Sequence, residues 1–270
     1  MSTLSYKKIL LVVCFLFMGF LQPSEEHVTI YMIGDSTMAD KPLEDNPERG
    51  WGQLFPTFFN SSVTIENHAK NGRSTRSFLA ETLWQPILEK LKPGDYVFIQ
   101  FGHNDEKKEK VGRYTCPQDY RVNLLKFVNE TRAKNAFPIL CTPIVRRRFD
   151  DSGKFYDEHG VYPDIVREIA AWYKVPLLEM HKKSEQLLKE LGPEESKKLF
   201  LWIDPGKYKS LPQGRVDNTH FSEYGATTMA EFAVEDLVRL DHPLAKYLVK
   251  KKPLEKMDED ERKRIHNENE

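Results

Sequence analysis

The chain contains 270 residues, of which 40 are Lys or Arg and 41 are Asp or Glu, so its formal net charge is −1. This balance excludes the strong positive charge typical of proteins that bind nucleic acid. The hydrophobic content of 40%, with 14 Gly and 16 Pro, excludes collagen-like and intrinsically disordered chains. The length is suitable for one large α/β domain or two small domains.

The N-terminal segment has the pattern of a signal peptide. Lys7 and Lys8 precede a run of 13 uncharged residues, 9–21. This run is too short to span a bilayer, but it has the length of the apolar region of a signal peptide. We therefore predict a signal peptide over residues 1–22, export to the periplasm or secretion, and no stable membrane span. A lipid anchor on Cys14 is not expected, because the apolar run continues beyond it; a buried N-terminal helix is the alternative.

Three cysteines are present in the sequence. Loss of Cys14 with the signal peptide leaves Cys116 and Cys141, which are too few for a disulfide framework and lack metal-ligand spacing. These two can form a disulfide in an oxidising compartment. Alternatively, Cys141 is a small buried side chain inside its apolar run.

Downstream of the signal peptide, short apolar runs alternate with amphipathic stretches. The apolar runs predict strands at residues 28–33, 62–68, 96–101, 137–142 and 175–179. The amphipathic stretches predict helices at residues 76–91, 118–134, 161–174 and 222–240. Strands that alternate with helices indicate parallel βαβ units and a doubly wound α/β sheet of about five strands. We assign residues 23–242 to a single domain and residues 243–270 to a charged C-terminal tail.

Small and polar residues stand directly after the predicted strands. Ser36 follows the first strand, Gly72 the second and Asn104 the third, while Asp217 and His220 stand just before the last helix. In open α/β sheets, ligands bind outside the carboxyl ends of the strands. These five residues are therefore expected to meet at one edge of the sheet.

The residue types at this edge match the requirements of ester cleavage. A serine hydroxyl needs a base that removes its proton, and the base needs a carboxylate that fixes its tautomer. Ser36, His220 and Asp217 can fill these roles, and their spacing places Asp217 and His220 on one turn. The backbone N–H groups of Ser36 and Gly72 and the amide of Asn104 can stabilise an oxyanion. Each motif alone is also common in turns and at helix ends, so it is their order in one domain that favours a catalytic site.

Four sequence blocks resemble those of the SGNH, or GDSL-like, hydrolases, and the resemblance covers about residues 28–240. The blocks are Gly34-Asp35-Ser36, Gly72, Gly102-His103-Asn104-Asp105 and Asp217-Asn218-Thr219-His220. The resemblance implies a flavodoxin-like sheet with helices on both faces. It also implies that Ser36 is the nucleophile, His220 the base and Asp217 the residue that orients His220. Gly72 and Asn104 would be oxyanion donors, and no metal or other cofactor would be needed.

Longer motifs are similar to the rhamnogalacturonan acetylesterase branch, namely residues 34–40, 50–52, 71–77, 101–105 and 143–149. This resemblance implies removal of acetyl groups from a pectic polysaccharide, so an acetylated polysaccharide or oligosaccharide is the expected partner. Arg146, Arg147 and Arg148 follow the fourth strand and are candidates for a clamp on an acidic substrate. The alternative is a solvated loop with weak surface ion pairs. His103 is a candidate for the wall of the pocket.

Three other functions fit parts of the same pattern. They are a lipase or thioesterase on the same fold, an acetyl xylan esterase, and a catalytically silent carbohydrate-binding surface protein. The absence of a long apolar segment between the blocks argues against a lipid substrate. The presence of all four blocks argues against a silent protein. The sequence leaves the oligomeric state open.

Overall fold

A computed structural model of the protein describes residues 27–249. The predicted signal peptide and residues 250–270 of the predicted tail lie outside the described residues. The central sheet has the parallel strands β1 (Val28–Gly34), β2 (Val63–Asn67), β3 (Tyr96–Gln100), β4 (Phe137–Cys141) and β5 (Leu177–Leu178), in the order β2-β1-β3-β4-β5. This order is that of flavodoxin-like folds. The predicted fold class, a doubly wound sheet of five parallel strands, is confirmed.

The inner strands are continuous apolar runs because both faces of the sheet are covered. Side chains alternate between the two faces of a strand, and the buried side chains accordingly divide into two clusters. Ile30, Met32, Phe98 and Ile139 belong to one cluster, and Tyr31, Ile33, Val97 and Ile99 belong to the other. All five residues of β3 are buried. This burial fixes the strand ends at which the polar loops begin.

The described helices are α1 (Trp51–Leu54), α2 (Thr75–Ala80), α3 (Gln85–Lys90), α4 (Pro117–Ala133), α5 (Tyr162–Tyr173), α6 (Met180–Glu195) and α7 (Glu223–Arg239). The prediction of one helix over 76–91 is wrong, because α2 and α3 replace it. Thr82 has a positive φ of 56° between them. Pro86 stands at the start of α3, where a proline is tolerated, whereas it would break the interior of a longer helix.

A second sheet, which the sequence analysis missed, is an antiparallel hairpin of β6 (Phe200–Ile203) and β7 (Arg215–Phe221). Phe200 pairs with Phe221, but the next residue, Leu201, pairs with Asp217. Residues 218–220 therefore bulge out of the ladder. The polar sequence of β7 lacks the alternation of apolar residues that predicts a strand. We refer to β6 and β7 together as the hairpin.

The predicted boundary of the charged tail at residue 243 is too early. Pro243–Tyr247 form a 3₁₀ helix whose Leu244 side chain is fully buried. Leu248 forms an isolated bridge with Phe59. These residues pack on the domain because apolar side chains are interspersed among the charges. The domain therefore continues to the end of the described region.

Both described cysteines are free thiols, so the predicted alternative of a disulfide between Cys116 and Cys141 is wrong. Cys141 is buried in β4, and burial raises the pKa of its thiol well above the ordinary value. It acts as a small apolar side chain, which was the other alternative. Within residues 27–249, no helix combines the length and the apolar character needed to cross a membrane.

Candidate active site

Ser36 lies in the turn that follows β1, one residue after Asp35. The Oδ1 atom of Asp35 accepts hydrogen bonds from the backbone N–H of Thr37 at 2.9 Å and from its hydroxyl at 2.8 Å. The backbone N–H groups of Met38 and Ala39 donate to the carbonyl oxygen of Asp35. Because the carboxylate and the carbonyl of one residue both hold the turn, Ser36 has a fixed position at the carboxyl end of β1.

Ser36, His220 and Asp217 form a hydrogen-bonded row. The Nε2 atom of His220 lies 2.9 Å from Ser36 Oγ, and its Nδ1 atom lies 2.7 Å from Asp217 Oδ2. A carboxylate accepts hydrogen bonds, so Nδ1 carries the proton and Nε2 is free to accept one from the serine. The structure thus brings together the three residues that the sequence analysis assigned to the catalytic triad.

The bulge in β7 holds Asp217 beneath His220. The Oδ1 atom of Asp217 accepts hydrogen bonds from the backbone N–H groups of Thr219 at 2.8 Å and of His220 at 3.0 Å. Burial acts to raise the pKa of Asp217, but the hydrogen bond and charge of His220 and these backbone donors hold that pKa well below its usual range. The carboxylate is therefore ionised and can stabilise the imidazolium that forms when His220 takes a proton.

A row of charged and polar side chains continues from the triad around the rim of the site. Arg215 donates to Asp217 Oδ2 at 2.6 Å and to Glu48 Oε2 at 3.1 Å. Glu48 also lies 2.7 Å from the Nζ atom of Lys41, which donates to Asn71 Oδ1. We call Arg215, Glu48, Lys41 and Asn71 the rim network. It joins the triad carboxylate to the residue before Gly72.

The rim network was not predicted from the sequence, although the position of Arg215 is a signal for it. Arg215 and Asp217 are two residues apart on a strand, and such residues lie on the same face. That spacing would have placed a cation beside the carboxylate. Glu48 and Lys41 come from a loop far away in the sequence, and no spacing connects them to the triad.

The proposed oxyanion donors come from three neighbouring strand ends. Lys70 donates its backbone N–H to the Gly34 carbonyl at 3.0 Å, which joins the loops after β2 and β1. Asn104 Nδ2 donates to the Arg73 carbonyl at 3.0 Å, which joins the loops after β3 and β2. Among the described residues, the backbone N–H groups of Ser36 and Gly72 donate to no protein acceptor. They are therefore available to a developing oxyanion.

Gly72 has a backbone conformation that favours glycine. Its φ of +75° lies in the left-handed region that favours glycine. A Cβ atom at this position would also lie 3.1 Å from the guanidinium group of Arg113. The backbone conformation therefore favours glycine, and the guanidinium group of Arg113 occupies the space on the side where a Cβ atom would point.

His103 lies behind the site and does not form a wall of the pocket, so that prediction is wrong. It is only 2% exposed, and its Nδ1 atom lies 3.2 Å from Asp35 Oδ2. Burial lowers its pKa to about 4, more than the partner carboxylate raises it. The ring of His159 meets it edge-on, with 4.7 Å between the ring centroids. His103 therefore acts on the site through Asp35.

The prediction that Arg146, Arg147 and Arg148 clamp an acidic substrate is wrong for the first two. Arg146 is 5% exposed and forms an ion pair with Glu106. Arg147 is 7% exposed and donates to Asn218 Oδ1 at 2.9 Å. Arg148 is more exposed but forms an ion pair of its own. The guanidinium groups of Arg146 and Arg147 are occupied within the protein, where they hold loops around the site.

Comparison with known proteins agrees with this geometry. The GDSL-like lipase/acylhydrolase family matches residues 32–227. The chain belongs to this family. The family predicted from the four sequence blocks is therefore confirmed, and the protein is a carboxylic ester hydrolase. In the part of this family member that the structure describes, no group of three His, Cys, Asp or Glu side chains is arranged to hold a metal ion.

Three similar proteins illustrate the relationship. The chain is 40% identical over 222 residues to the rhamnogalacturonan acetylesterase RhgT of Bacillus subtilis, covering 82% of this chain and 94% of the relative. A solved structure of YxiM from Bacillus subtilis has a TM-score of 0.67 at 25% identity, covering 80% of this chain and 57% of that one. The acetylxylan esterase Axe2 of Geobacillus stearothermophilus shares the fold, with a TM-score of 0.58 at 17% identity, covering 79% and 96% of the two chains.

Proposed function

We propose that this ester hydrolase removes acetyl groups from rhamnogalacturonan, a pectic polysaccharide. The observation that carries the reaction type is the contact of 2.9 Å between His220 Nε2 and Ser36 Oγ. The substrate is supported by the identity of 40% with a protein named as a rhamnogalacturonan acetylesterase. We further propose that the protein is exported, because Lys7, Lys8 and the apolar run at residues 9–21 have the pattern of a signal peptide.

The geometry permits the usual two-step hydrolysis of an acyl ester. His220 Nε2 takes the proton of Ser36 as Oγ bonds to the acetyl carbon, and the carbonyl electron pair moves to oxygen. The N–H groups of Ser36 and Gly72 and the amide of Asn104 stabilise this oxyanion. His220 then gives the proton to the sugar oxygen, the ester bond breaks and acetyl-Ser36 remains. Water, activated by His220, attacks the acetyl group, and acetate leaves as Ser36 regains its proton.

Acetate release from a set of acetylated polymers tests the substrate. We expect the wild-type protein to release acetate faster from acetylated rhamnogalacturonan than from acetylated xylan. The reverse preference would contradict the pectic assignment and favour an acetyl xylan esterase. Faster cleavage of long-chain esters than of either polymer would favour a lipase.

Two variants test the mechanism. Ser36→Ala and His220→Ala should each lower kcat on an aryl acetate by about 10⁵- to 10⁶-fold, because triad residues act as a unit. Unchanged melting temperatures would show that the loss is chemical. A serine-reactive phosphonate should label the wild type and not Ser36→Ala. A wild-type protein that binds the polymer but is neither labelled nor active would be a carbohydrate-binding protein instead.

A further inference from the structure

The guanidinium group of Arg113 packs flat against Gly72. Its Cζ, Nη1 and Nη2 atoms all lie 3.1 Å from the position that a Cβ atom of Gly72 would occupy. A point at equal distance from these three atoms lies above the guanidinium plane, so Arg113 presents its face to Gly72. Its N–H edges are not used by this contact. Arg113 is exposed, and within residues 27–249 its guanidinium group has no hydrogen bond or ion pair.

Arg113 is held in this position by the loop that begins directly after Asn104. The backbone N–H of Thr115 donates to the Asp105 carbonyl at 2.9 Å and closes the base of the loop. The backbone N–H of Arg113 itself donates to the Lys110 carbonyl at 2.8 Å. The loop therefore begins after one proposed oxyanion donor, Asn104, and places the guanidinium group of Arg113 against another, Gly72.

This loop is locally basic although the chain as a whole is not. Residues 107–113, which we call the basic loop, contain Lys107, Lys108, Lys110 and Arg113 but only one acidic residue, Glu109. The net charge of the whole chain is −1. The positive charge beside the proposed oxyanion donors is thus local to the basic loop and is not expected from the composition of the whole chain.

Lys107 lies among charged groups of both signs. Lys107 is partly buried, and burial together with the charges of Arg146 and Arg113 lowers its pKa. The charges of Glu106 and Asp35 act in the opposite direction, but Glu106 also contacts Arg146 and His159, and Asp35 also contacts His103. Cations that repel one another reduce stability unless an anion compensates them. Such an arrangement in a site indicates a function in binding.

We propose that Arg113, supported by Lys107, binds the carboxylate of a uronic acid unit next to the acetylated sugar. This inference rests on the proposed function, because it concerns how the same site selects its polymer. The free edge of a guanidinium group can bind a carboxylate through two parallel hydrogen bonds. A carboxylate held there would lie beside Gly72, whose N–H is one of the proposed oxyanion donors. Arg113 thus takes the role that the sequence analysis gave to Arg146–Arg148.

The test compares Arg113→Gln with a control that removes the same charge elsewhere. Lys134 is exposed at the C-terminal end of α4, just before β4 begins, and is therefore at the opposite edge of the sheet. The substrates are acetylated rhamnogalacturonan, the same polymer with its carboxyl groups reduced, and para-nitrophenyl acetate. Melting temperatures of all variants check that the fold is retained.

For Arg113→Gln we expect KM on the acidic polymer to rise about tenfold. This is the low end of the affinity lost with a charge-assisted hydrogen bond, because Arg113 is exposed. The kcat value on that polymer and the activity on both uncharged substrates should stay close to wild type. Added salt should raise the KM of the wild type more than that of the variant. Arg113→Lys should lie between the two, because an ammonium group cannot bind a carboxylate in a bidentate way. Lys134→Gln should behave as wild type.

Two outcomes would overturn the inference while the proposed function stands. One is an unchanged KM of Arg113→Gln on an acidic polymer that the wild type deacetylates. The other is an equal fall in kcat on the acidic polymer and on para-nitrophenyl acetate, which would assign Arg113 to the oxyanion. By contrast, a wild type that deacetylates only neutral xylan would refute the proposed function, and the inference with it.

Discussion

The carboxylate of Asp35 and the imidazole of His103 meet in the protein interior, with 3.2 Å between Oδ2 and Nδ1. Asp35 directly precedes Ser36, and His103 directly precedes Asn104. The pair therefore joins the turn that carries the nucleophile to the loop that carries an oxyanion donor. Thr37 donates to the other oxygen of Asp35, Oδ1, and His103 faces Oδ2. His103 is thus a positioning residue for both halves of the site.

We expect His103→Gln to lower kcat and to leave KM nearly unchanged, because His103 is buried and contacts Asp35. It should also change how stability depends on pH. The folded pKa of His103 is about 4 and its ordinary value is 6.5, so between these values the unfolded chain binds a proton that the native state does not. The contribution of His103 to stability therefore falls as the pH drops, by up to about 1.4 kcal/mol per unit. Urea unfolding from pH 4 to 7 should show that His103→Gln lacks this slope.

His242 provides a matched control for this experiment. Burial lowers its pKa as well, but it lies at the start of the C-terminal 3₁₀ helix. His242→Gln should remove a slope of the same sign without a change in kcat. If His103→Gln had full activity, the proposed positioning role would be wrong.

Asp105→Asn should change the pH dependence of stability in the direction opposite to that of His103→Gln. Burial raises the pKa of Asp105 to about 7, from an ordinary value of 3.8, despite hydrogen bonds from Thr75. Between these values the native state binds a proton that the unfolded chain lacks, so the contribution of Asp105 falls as the pH rises. Asn cannot ionise. The stability of Asp105→Asn relative to wild type should therefore increase from pH 4 to 7, and parallel urea-unfolding curves would contradict the assignment.

Asp217→Asn should lower kcat by about 10⁴-fold, because an amide in this position can favour the wrong tautomer of the histidine. Arg215→Gln should be milder, since Asp217 keeps its two backbone donors and its contact with His220. Steady-state kinetics on an aryl acetate compare the two. Equal losses would show that the rim network is as necessary as the carboxylate.

Arg146→Gln should mainly reduce stability. It removes one partner of a buried ion pair and leaves the contact of Glu106 with His159; breaking a buried pair in this way typically costs about 3–5 kcal/mol. The ratio of KM on the acidic polymer to KM on its carboxyl-reduced form should stay at the wild-type value. A rise in KM on the acidic polymer alone would instead support Arg146 as a clamp on an acidic substrate.

The triad and the central sheet could be predicted from the sequence because both depend on local patterns. Ser36 and Asn104 follow short apolar runs that are bounded by turn residues, which favours buried strands, and the strand ends of a parallel sheet meet at one edge. The burial and ion pair of Arg146 could not be predicted, because the sequence pattern of a polar residue after a strand is the same whether its side chain faces solvent or an internal carboxylate. Arg113 was missed for the converse reason. It stands in a charged loop, and only the return of that loop to Gly72 distinguishes it from a solvated cation.

The triad is divided between two separate sheets. Ser36 belongs to the end of the parallel sheet, while Asp217 and His220 belong to the hairpin, which shares no ladder with that sheet. The protein can consequently lose its activity while most of its fold stays intact. A local opening of the hairpin would separate the base from the nucleophile and leave the five strands intact. Mild denaturant should therefore inactivate the enzyme reversibly before the parallel sheet unfolds.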